Sequence, residues 1–416
     1  MSRARAAYTA LSYALLPRVL LHLAWRGRRE PAYRQHVNER FGHFAGARPA
    51  EPVIWIHAVS VGETRGAEPL VRELASRYPG HRILLTHMTP AGRRTSEMLF
   101  GERVLRCYLP YDYPGAVARF VEHFRPRIGL LMETEIWPNL IHACKQRGIP
   151  LYLVNARLSE KSFRRYRRVA SLARESLAAL SGVAAQSAQD AQRLSALGAR
   201  DVTVTGNLKF DVTPSAALVQ MGRTWRARYG ERPVLVAAST RDGEEELLLD
   251  ALDAFSVPRL LLVVVPRHPQ RFDEVAALLE RRAIRYERRS ADRPVSPDTS
   301  VLLGDSMGEM AAYYAACDLA FIGGSLLPFG GQNLIEACAV GKPVMLGPHT
   351  YNFAEAAQHA IEAGAAARVE SAAELAREAS RLLTDSEALA RMGERALAFS
   401  RAHQGATARI MSILKI

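Results

Sequence analysis

After residue 50 short apolar runs alternate with longer amphipathic stretches, and the series is played twice along the chain. An apolar run bounded by turn residues and followed by a helical stretch is the pattern of a βα unit, and a succession of them builds a parallel sheet with helices on both faces. The first series predicts strands at 53–58 (VIWIHA), 82–86, 127–132, 151–155, 182–185 and 202–205. A second series begins after Pro214, with strands predicted at 234–238, 260–265, 301–303, 319–322 and 344–346. A chain of 416 residues, 48% of them hydrophobic, is long enough for two such domains with separate cores. The expected fold is α/β, two Rossmann-like doubly wound domains. The domains are expected at 31–212 and 213–416, with 213–232 as a hinge and a final helix at about 388–416 that crosses back to the first domain.

Doubly wound sheets bind ligands beyond the carboxyl ends of their strands, and the distinctive polar residues fall there. Ser60, Glu63, Glu133, Glu135, Asn207 and Lys209 follow runs of the first series; Arg267, His268 and residues 323–325 follow runs of the second. This placement predicts one central cleft faced by both domains.

The loop HAVSVGETRGAEPL (57–70) follows a strand and opens a helix. Gly62 would let the backbone turn tightly beside a ligand, and Glu63 at the helix start is read either as an answer to the helix dipole or as a general base. In LLMETEIWPNL, Glu133 and Glu135 end an apolar strand, with Trp137 and Pro138 fixing the turn. The bland reading of Glu135 is a cap on the next helix; Glu133, nearer the strand end, is the better candidate for substrate contact. TGNLKFD (205–211) brings Lys209 after a strand and a glycine, where a lone loop lysine is usually solvated and a functional one is the exception.

In the second series VVVPRHP sets Arg267 and His268 beyond an apolar strand, where two donors suit a phosphate unless the segment is a plain surface turn. GDSMGEMAAYYAACD (304–318) reads as strand, turn and helix, with a helix N-terminus and its free N–H groups around Met307, Gly308 and Glu309. FIGGSLLPFGGQNLIEA holds two glycine pairs before a helix expected to carry Asn333, Leu334, Ile335 and Glu336, whose carboxylate would accept ribose hydroxyls.

Charge narrows the partners. Lys and Arg number 55 against 42 Asp and Glu, a formal +13, which favours an anionic partner. No basic helix with interleaved aromatics is present, so nucleic acid is not expected. The four cysteines stand far apart in apolar runs, as reduced core thiols do. There is no P-loop and no Asp-x-Asp pair, and His57, His81 and His87 lack zinc-site spacing; no essential metal and no cofactor are expected. Residues 8–25 are mostly apolar but interrupted by Pro17, Arg18 and His22, and Arg26, Arg28 and Arg29 follow. An N-terminal anchor segment at 1–30, spanning the membrane or lying in its surface, is expected, its basic flank keeping the body cytoplasmic. The basic stretch 157–174 suits lipid headgroups or acceptor phosphates, or is a solvated helix face.

Taken together and in this order, SVGE, METEIWPN, NARLS, TGNLKFD, PRHPQRF, GDSMGEM, FIGGS and GGQNLIEA resemble the Kdo (3-deoxy-D-manno-octulosonic acid) transferase family, almost from the first residue to the last. The resemblance implies the two-domain GT-B glycosyltransferase fold, the cytoplasmic face of the inner membrane, CMP-Kdo as donor and a lipid A precursor (lipid IVA) as acceptor. It further implies Glu63 as proton acceptor and Glu133 and Lys209 as transition-state stabilisers. CMP contacts would come from Arg267 and His268, from Met307, Gly308 and Glu309, and from Asn333, Leu334, Ile335 and Glu336. Gln332 stands where many relatives have His; a neutral amide still donates a hydrogen bond but does not titrate. Rival readings are another GT-B enzyme, such as a heptosyltransferase or a nucleotide-sugar epimerase, and a non-catalytic nucleotide-binding membrane adaptor.

Overall fold

The structure, a computed structural model, describes residues 2–211 and 213–416. It divides into two compact units, Met1–Asp211 with Gln404–Ile416, and Val212–His403. The expected domain boundary at residue 212 falls on Val212, which lies outside the described residues.

In the first unit the strands are β1 (Val53–His57), β2 (Arg82–His87), β3 (Val104–Tyr108), β4 (Pro126–Met132), β5 (Leu151–Ala156), β6 (Gly182–Ala185) and β7 (Val202–Val204). They form one seven-stranded sheet in the order β3-β2-β1-β4-β5-β6-β7, every pairing parallel. Successive side chains of a strand point to opposite faces, so Val53 and Trp55 enter one core and Ile54 and Ile56 the other. Trp55 fits because its neighbour across the β1–β4 pairing is Gly129, where an added Cβ would come within 2.6 Å of the indole.

The second unit repeats the design with β8 (Val234–Thr240), β9 (Leu261–Pro266), β10 (Tyr286–Arg288), β11 (Val301–Leu303), β12 (Leu319–Ile322), β13 (Val344–Leu346) and β14 (Ala366–Arg368). The order is β10-β11-β9-β8-β12-β13-β14, again parallel throughout. Three strands were not predicted, β3, β10 and β14, and each is the edge of its sheet. An edge strand is half solvated, so its sequence is not a continuous apolar run.

The chain ends differ from expectation. The long final helix is two helices, Ser386–His403 and Ala406–Ile413, separated at Gly405, which takes φ +91°. Ala406, Ile410 and Met411 complete the first unit's core, and Asp211 caps the last helix by accepting from the N–H groups of Gly405 (2.6 Å), Ala406 (3.2 Å) and Thr407. The expected hinge segment holds a helix, Ala216–Tyr229.

The expected apolar anchor helix is not found as one element. Helices Arg3–Ala14 and Leu16–Arg29 meet at Leu15 and Pro17, and among the described residues no helix is long and apolar enough to cross a membrane. The first helix docks on the unit: Thr9 donates to Asn139 Oδ1 (3.1 Å) and Arg5 pairs with Glu175 (3.7 Å). The second carries exposed Leu20, Leu21 and Trp25 beside Arg18, Arg26, Arg28 and Arg29.

Candidate active site

The carboxyl ends of β1 and β4 bring two acids together. Ser60 is the N-cap of helix Val61–Gly66, its Oγ accepting from Glu63 N at 3.4 Å. Glu63 answers as the other half of a capping box: Oε1 accepts from Ser60 Oγ at 2.9 Å and Oε2 from Val59 N at 2.9 Å. Both oxygens thus have local partners, yet burial, with the charges of Glu133 and Glu135, raises the Glu63 pKa from 4.5 to about 7 against those hydrogen bonds. Desolvation penalises the charged form of an acid, and nearby like charges add to it. The helix-cap role and a carboxyl poised near neutrality therefore reside in one side chain. Gly62 is helical rather than left-handed, so it makes no tight turn; an added Cβ would meet only Ser60 Oγ, at 3.9 Å. What the glycine provides is open space over the helix start.

Glu133 ends β4 with φ +56°, a left-handed backbone that non-glycine residues adopt at a cost and that clusters at functional sites. Its N–H still pairs with Val154 O (3.0 Å), so the strand ladder holds the strained residue in place. Glu135 does not cap the next helix: its Oε2 accepts from Trp137 Nε1 at 2.8 Å. Helix Pro138–Gln146 is capped instead by Asp112, which accepts from Asn139 N (2.9 Å) and Leu140 N (2.8 Å). No local signal joins Asp112 to residues 27 and 28 positions later, and sequence reading missed it.

Lys209 sits in the short helix Leu208–Phe210, its N–H donating to Asn207 Oδ1 (3.0 Å). Asn155, itself at φ +51° near the end of β5, accepts from Leu208 N (3.0 Å); Gln186 donates to Asn155 O (2.9 Å) and accepts from Asn207 (3.0 Å). This amide network delivers the lysine stem to Gly66, where a built Cβ would lie 3.9 Å from Lys209 Cγ, one turn beyond Glu63. The structure thus gathers Glu63, Glu133 and Lys209 at one end of the first sheet.

The second unit places cations and glycines at the same end of its sheet. Arg267 follows β9, its N–H donating to Thr240 O (3.0 Å). Burial and the nearby Arg241, Arg267 and Arg271 lower the pKa of His268, keeping the imidazole neutral beside three guanidinium groups. Arg241, at the end of β8, stacks over Phe329 at 4.7 Å. The fully buried Glu244 accepts from the N–H groups of Arg241 (2.9 Å), Gly324 (2.5 Å) and Leu326 (3.0 Å) and so fixes the glycine loop. Arg241 and Glu244 were missed; the signal was the TRDGEEE turn directly after an apolar run. Gly323 has no room for a side chain, since a Cβ would lie 2.6 Å from Thr240 Cα. The glycine pairs bond to each other, Gly331 N to Gly324 O (2.6 Å) and Gln332 N to Gly323 O (3.1 Å).

Two helix starts differ from expectation. Helix Met310–Ala316 begins after the turn, with Glu309 as N-cap; Met307 is exposed, Gly308 takes φ +80°, and Glu309 accepts from Ser306 (2.5 Å) and Arg289 (3.4 Å). Asn333 and Leu334 precede helix Ile335–Ala339, Leu334 as its N-cap. Asn333 links the two segments, accepting from Ile335 N (3.0 Å) and donating to Glu336 Oε1 (3.0 Å). Glu336 is in the first turn of that helix. Among the described residues no group of three or more His, Cys, Asp or Glu side chains is placed to hold a metal ion.

The family model of 3-deoxy-D-manno-octulosonic-acid transferase (kdotransferase) matches residues 35–212, and that of glycosyl transferases group 1 matches residues 244–399. The chain is 46% identical to a 3-deoxy-D-manno-octulosonic acid transferase of Bordetella pertussis, over 99% of both chains. It is 38% identical to that of Haemophilus influenzae, over 98% of this chain and 97% of the relative. A solved UDP-GlcNAc 2-epimerase from Neisseria meningitidis shares the fold alone, with TM-score 0.57 at 16% identity over 87% of this chain and 99% of that one.

Proposed function

The chain belongs to the 3-deoxy-D-manno-octulosonic acid transferase family, and from that premise we propose that it moves Kdo from CMP-Kdo to a sugar hydroxyl of a lipid A precursor by one inverting displacement. It is a glycosyltransferase, a Kdo transferase of lipopolysaccharide synthesis. Glu63 takes the proton of the acceptor hydroxyl as that oxygen bonds to the anomeric carbon, and the carbon–oxygen bond to CMP breaks with its electron pair leaving on the phosphate. The single observation that carries this reading is the Glu63 carboxyl, raised to about 7 by burial beside Glu133 and Glu135: a base works best with its pKa near the operating pH.

Glu133 stabilises the positive charge that develops at the donor carbon. Lys209 answers the negative charge of the reaction, and Arg267, His268, Met307 to Glu309 and Asn333 to Glu336 contact CMP, whose departing phosphate suits the guanidinium groups around His268. The test is Kdo transfer from freshly made CMP-Kdo to a lipid A precursor in detergent, with chelator and no added metal, comparing wild type with Glu63→Ala. Product from wild type and none from a folded variant supports the reading; equal activity removes Glu63 from the mechanism.

The enzyme works at the cytoplasmic face of the inner membrane. Leu21, 72% exposed, with Leu20 and Trp25 on helix Leu16–Arg29, supports insertion into the interface, and the arginines beside them suit anionic headgroups at about 1 kcal/mol each. Leu21→Glu combined with Trp25→Ser is expected to abolish sedimentation with anionic phospholipid vesicles while leaving the melting temperature unchanged; undiminished sedimentation would refute this placement.

A further inference from the structure

Helix Arg3–Ala14 is held to the first unit at three places, and only the middle one reaches the loop that carries Glu133. At the helix start Ser2 donates to Glu175, on helix Ala170–Leu177, and Arg5 pairs with the same carboxylate at 3.7 Å. At its end Tyr113 donates to Ser12 O (3.3 Å), and the Tyr13 and Tyr113 rings lie 4.9 Å apart. In the middle Asn139 is the junction: its amide nitrogen donates to Asp112 O (2.8 Å), and its amide oxygen meets the Thr9 hydroxyl at 3.1 Å. A carbonyl oxygen only accepts, so Asp112 O fixes which end of the amide faces it, and Thr9 is then the donor to the other end. Thr9, Asp112 and Asn139 are each at most 9% exposed. Asn139 is also the second residue of helix Pro138–Gln146, whose start the Asp112 carboxylate caps through the N–H groups of Asn139 and Leu140. The loop before that helix, residues 133–137, is therefore pinned at both ends. One end is Glu133, with its N–H on Val154 O; the other is Trp137, which precedes Pro138 and donates to Glu135 within the loop.

We propose that Asn139 is a positioning residue that ties helix Arg3–Ala14 to the Glu133 loop through Thr9, so that the docked N-terminal helix sets the geometry of that acid besides carrying the membrane-facing helix after it. The inference rests on the reading of Glu133 as a group that acts on the transition state. Without the Thr9 hydroxyl the amide oxygen is buried and unpaired, and a buried acceptor in that position regains a partner only by moving. Rotation of the amide breaks its bond to Asp112 O and frees the start of helix Pro138–Gln146, and with it the far end of a five-residue loop whose near end holds Glu133. A reacting group misplaced by about an ångström can lose about 10²-fold in rate, so a smaller shift of Glu133 is expected to cost about tenfold.

Thr9→Val keeps the shape of the side chain and removes the donor, whereas Thr9→Ser keeps the donor. In the transfer assay with the full chain in detergent, where attachment to a bilayer plays no part, Thr9→Val is expected to lose about tenfold in kcat with KM for CMP-Kdo unchanged, and Thr9→Ser to stay within about twofold of wild type. Glu175→Gln loosens the start of the same helix without touching the middle tie, and it too should stay within about twofold. Wild-type kcat in Thr9→Val overturns the proposal. Equal loss in Thr9→Val and Glu175→Gln also overturns it, since docking of the helix as a whole would then be what counts. A readout independent of transfer is the ¹⁹F spectrum of full-length protein carrying 5-fluorotryptophan, with the Trp137 resonance assigned by Trp137→Phe. That resonance should move in Thr9→Val and hold its place in Thr9→Ser and Glu175→Gln; an unmoved resonance in Thr9→Val refutes the tie. Absence of Kdo transfer by the wild type would count against the proposed function and leave the fluorine test in force.

Discussion

The two sheets are built alike, seven parallel strands each, yet their carboxyl ends are furnished oppositely. The first sheet's end gathers Glu63, Glu133 and Glu135 with neutral buried His57, and burial pushes Glu63 and Glu135 up and the imidazole down. The second sheet's end gathers Arg241, Arg267 and Arg271 around His268, with two buried acids, Glu244 spent on backbone N–H groups and Glu245 on Thr240 and Arg271. One backbone design thus yields an acidic strand end and a cationic one. The difference lies in whether the acids stand together at the strand ends or are used to brace turns and an arginine.

That contrast can be broken at either end. The largest expected effect is at the first: Glu63→Gln keeps the capping geometry but cannot accept a proton, so turnover should fall by about 10²- to 10⁴-fold with little change in melting temperature. A parallel collapse of stability would show the residue to be only a helix cap. At the second end Glu244→Ala strips the acceptor from three backbone N–H groups and should cost about 2–4 kcal/mol of stability together with CMP binding, read by denaturant titration and calorimetry. Next, Gly323→Ala pushes a methyl against Thr240 and should cost about 1–3 kcal/mol, with weaker CMP binding and an unchanged Glu63-governed pH profile. Unaltered stability there would mean that β8 yields to the methyl.

The smallest effect is in pH dependence, and it sharpens the comparison. With Glu63 raised from 4.5 to about 7, the folded state holds a proton that the unfolded chain has lost across that window. Its stabilising share is full below pH 4.5 and disappears as pH rises through about 7. Wild type should therefore lose stability relative to Glu63→Gln over this range, while kcat/KM gains as the base ionises. Melting curves and rates taken from pH 4.5 to 8 check both signs, and a profile flat through 7 removes the raised carboxyl.

Most of the fold was legible because its strands are buried on both faces and read as apolar runs; the exceptions, β3, β10 and β14, are edges whose solvated face hides them. The placement of the candidate residues was legible where polar side chains follow directly on a run, at Glu63, Glu133, Lys209, Arg267 and His268. It was misread where a role depends on partners distant in sequence. Glu135 serves Trp137 rather than a helix end, Asp112 caps a helix from another loop, and the apolar N-terminal run is two short helices.

Sequence alone determined the doubly repeated βα order, the absence of P-loop and Asp-x-Asp motifs, and which residues end the strands, since these depend on local periodicity and residue type. Tertiary structure decided how charged those residues are. A carboxyl near 7 and an imidazole near 3 arise from burial and from neighbours brought in from other strands, and desolvation is a property of the packed chain that no local pattern encodes.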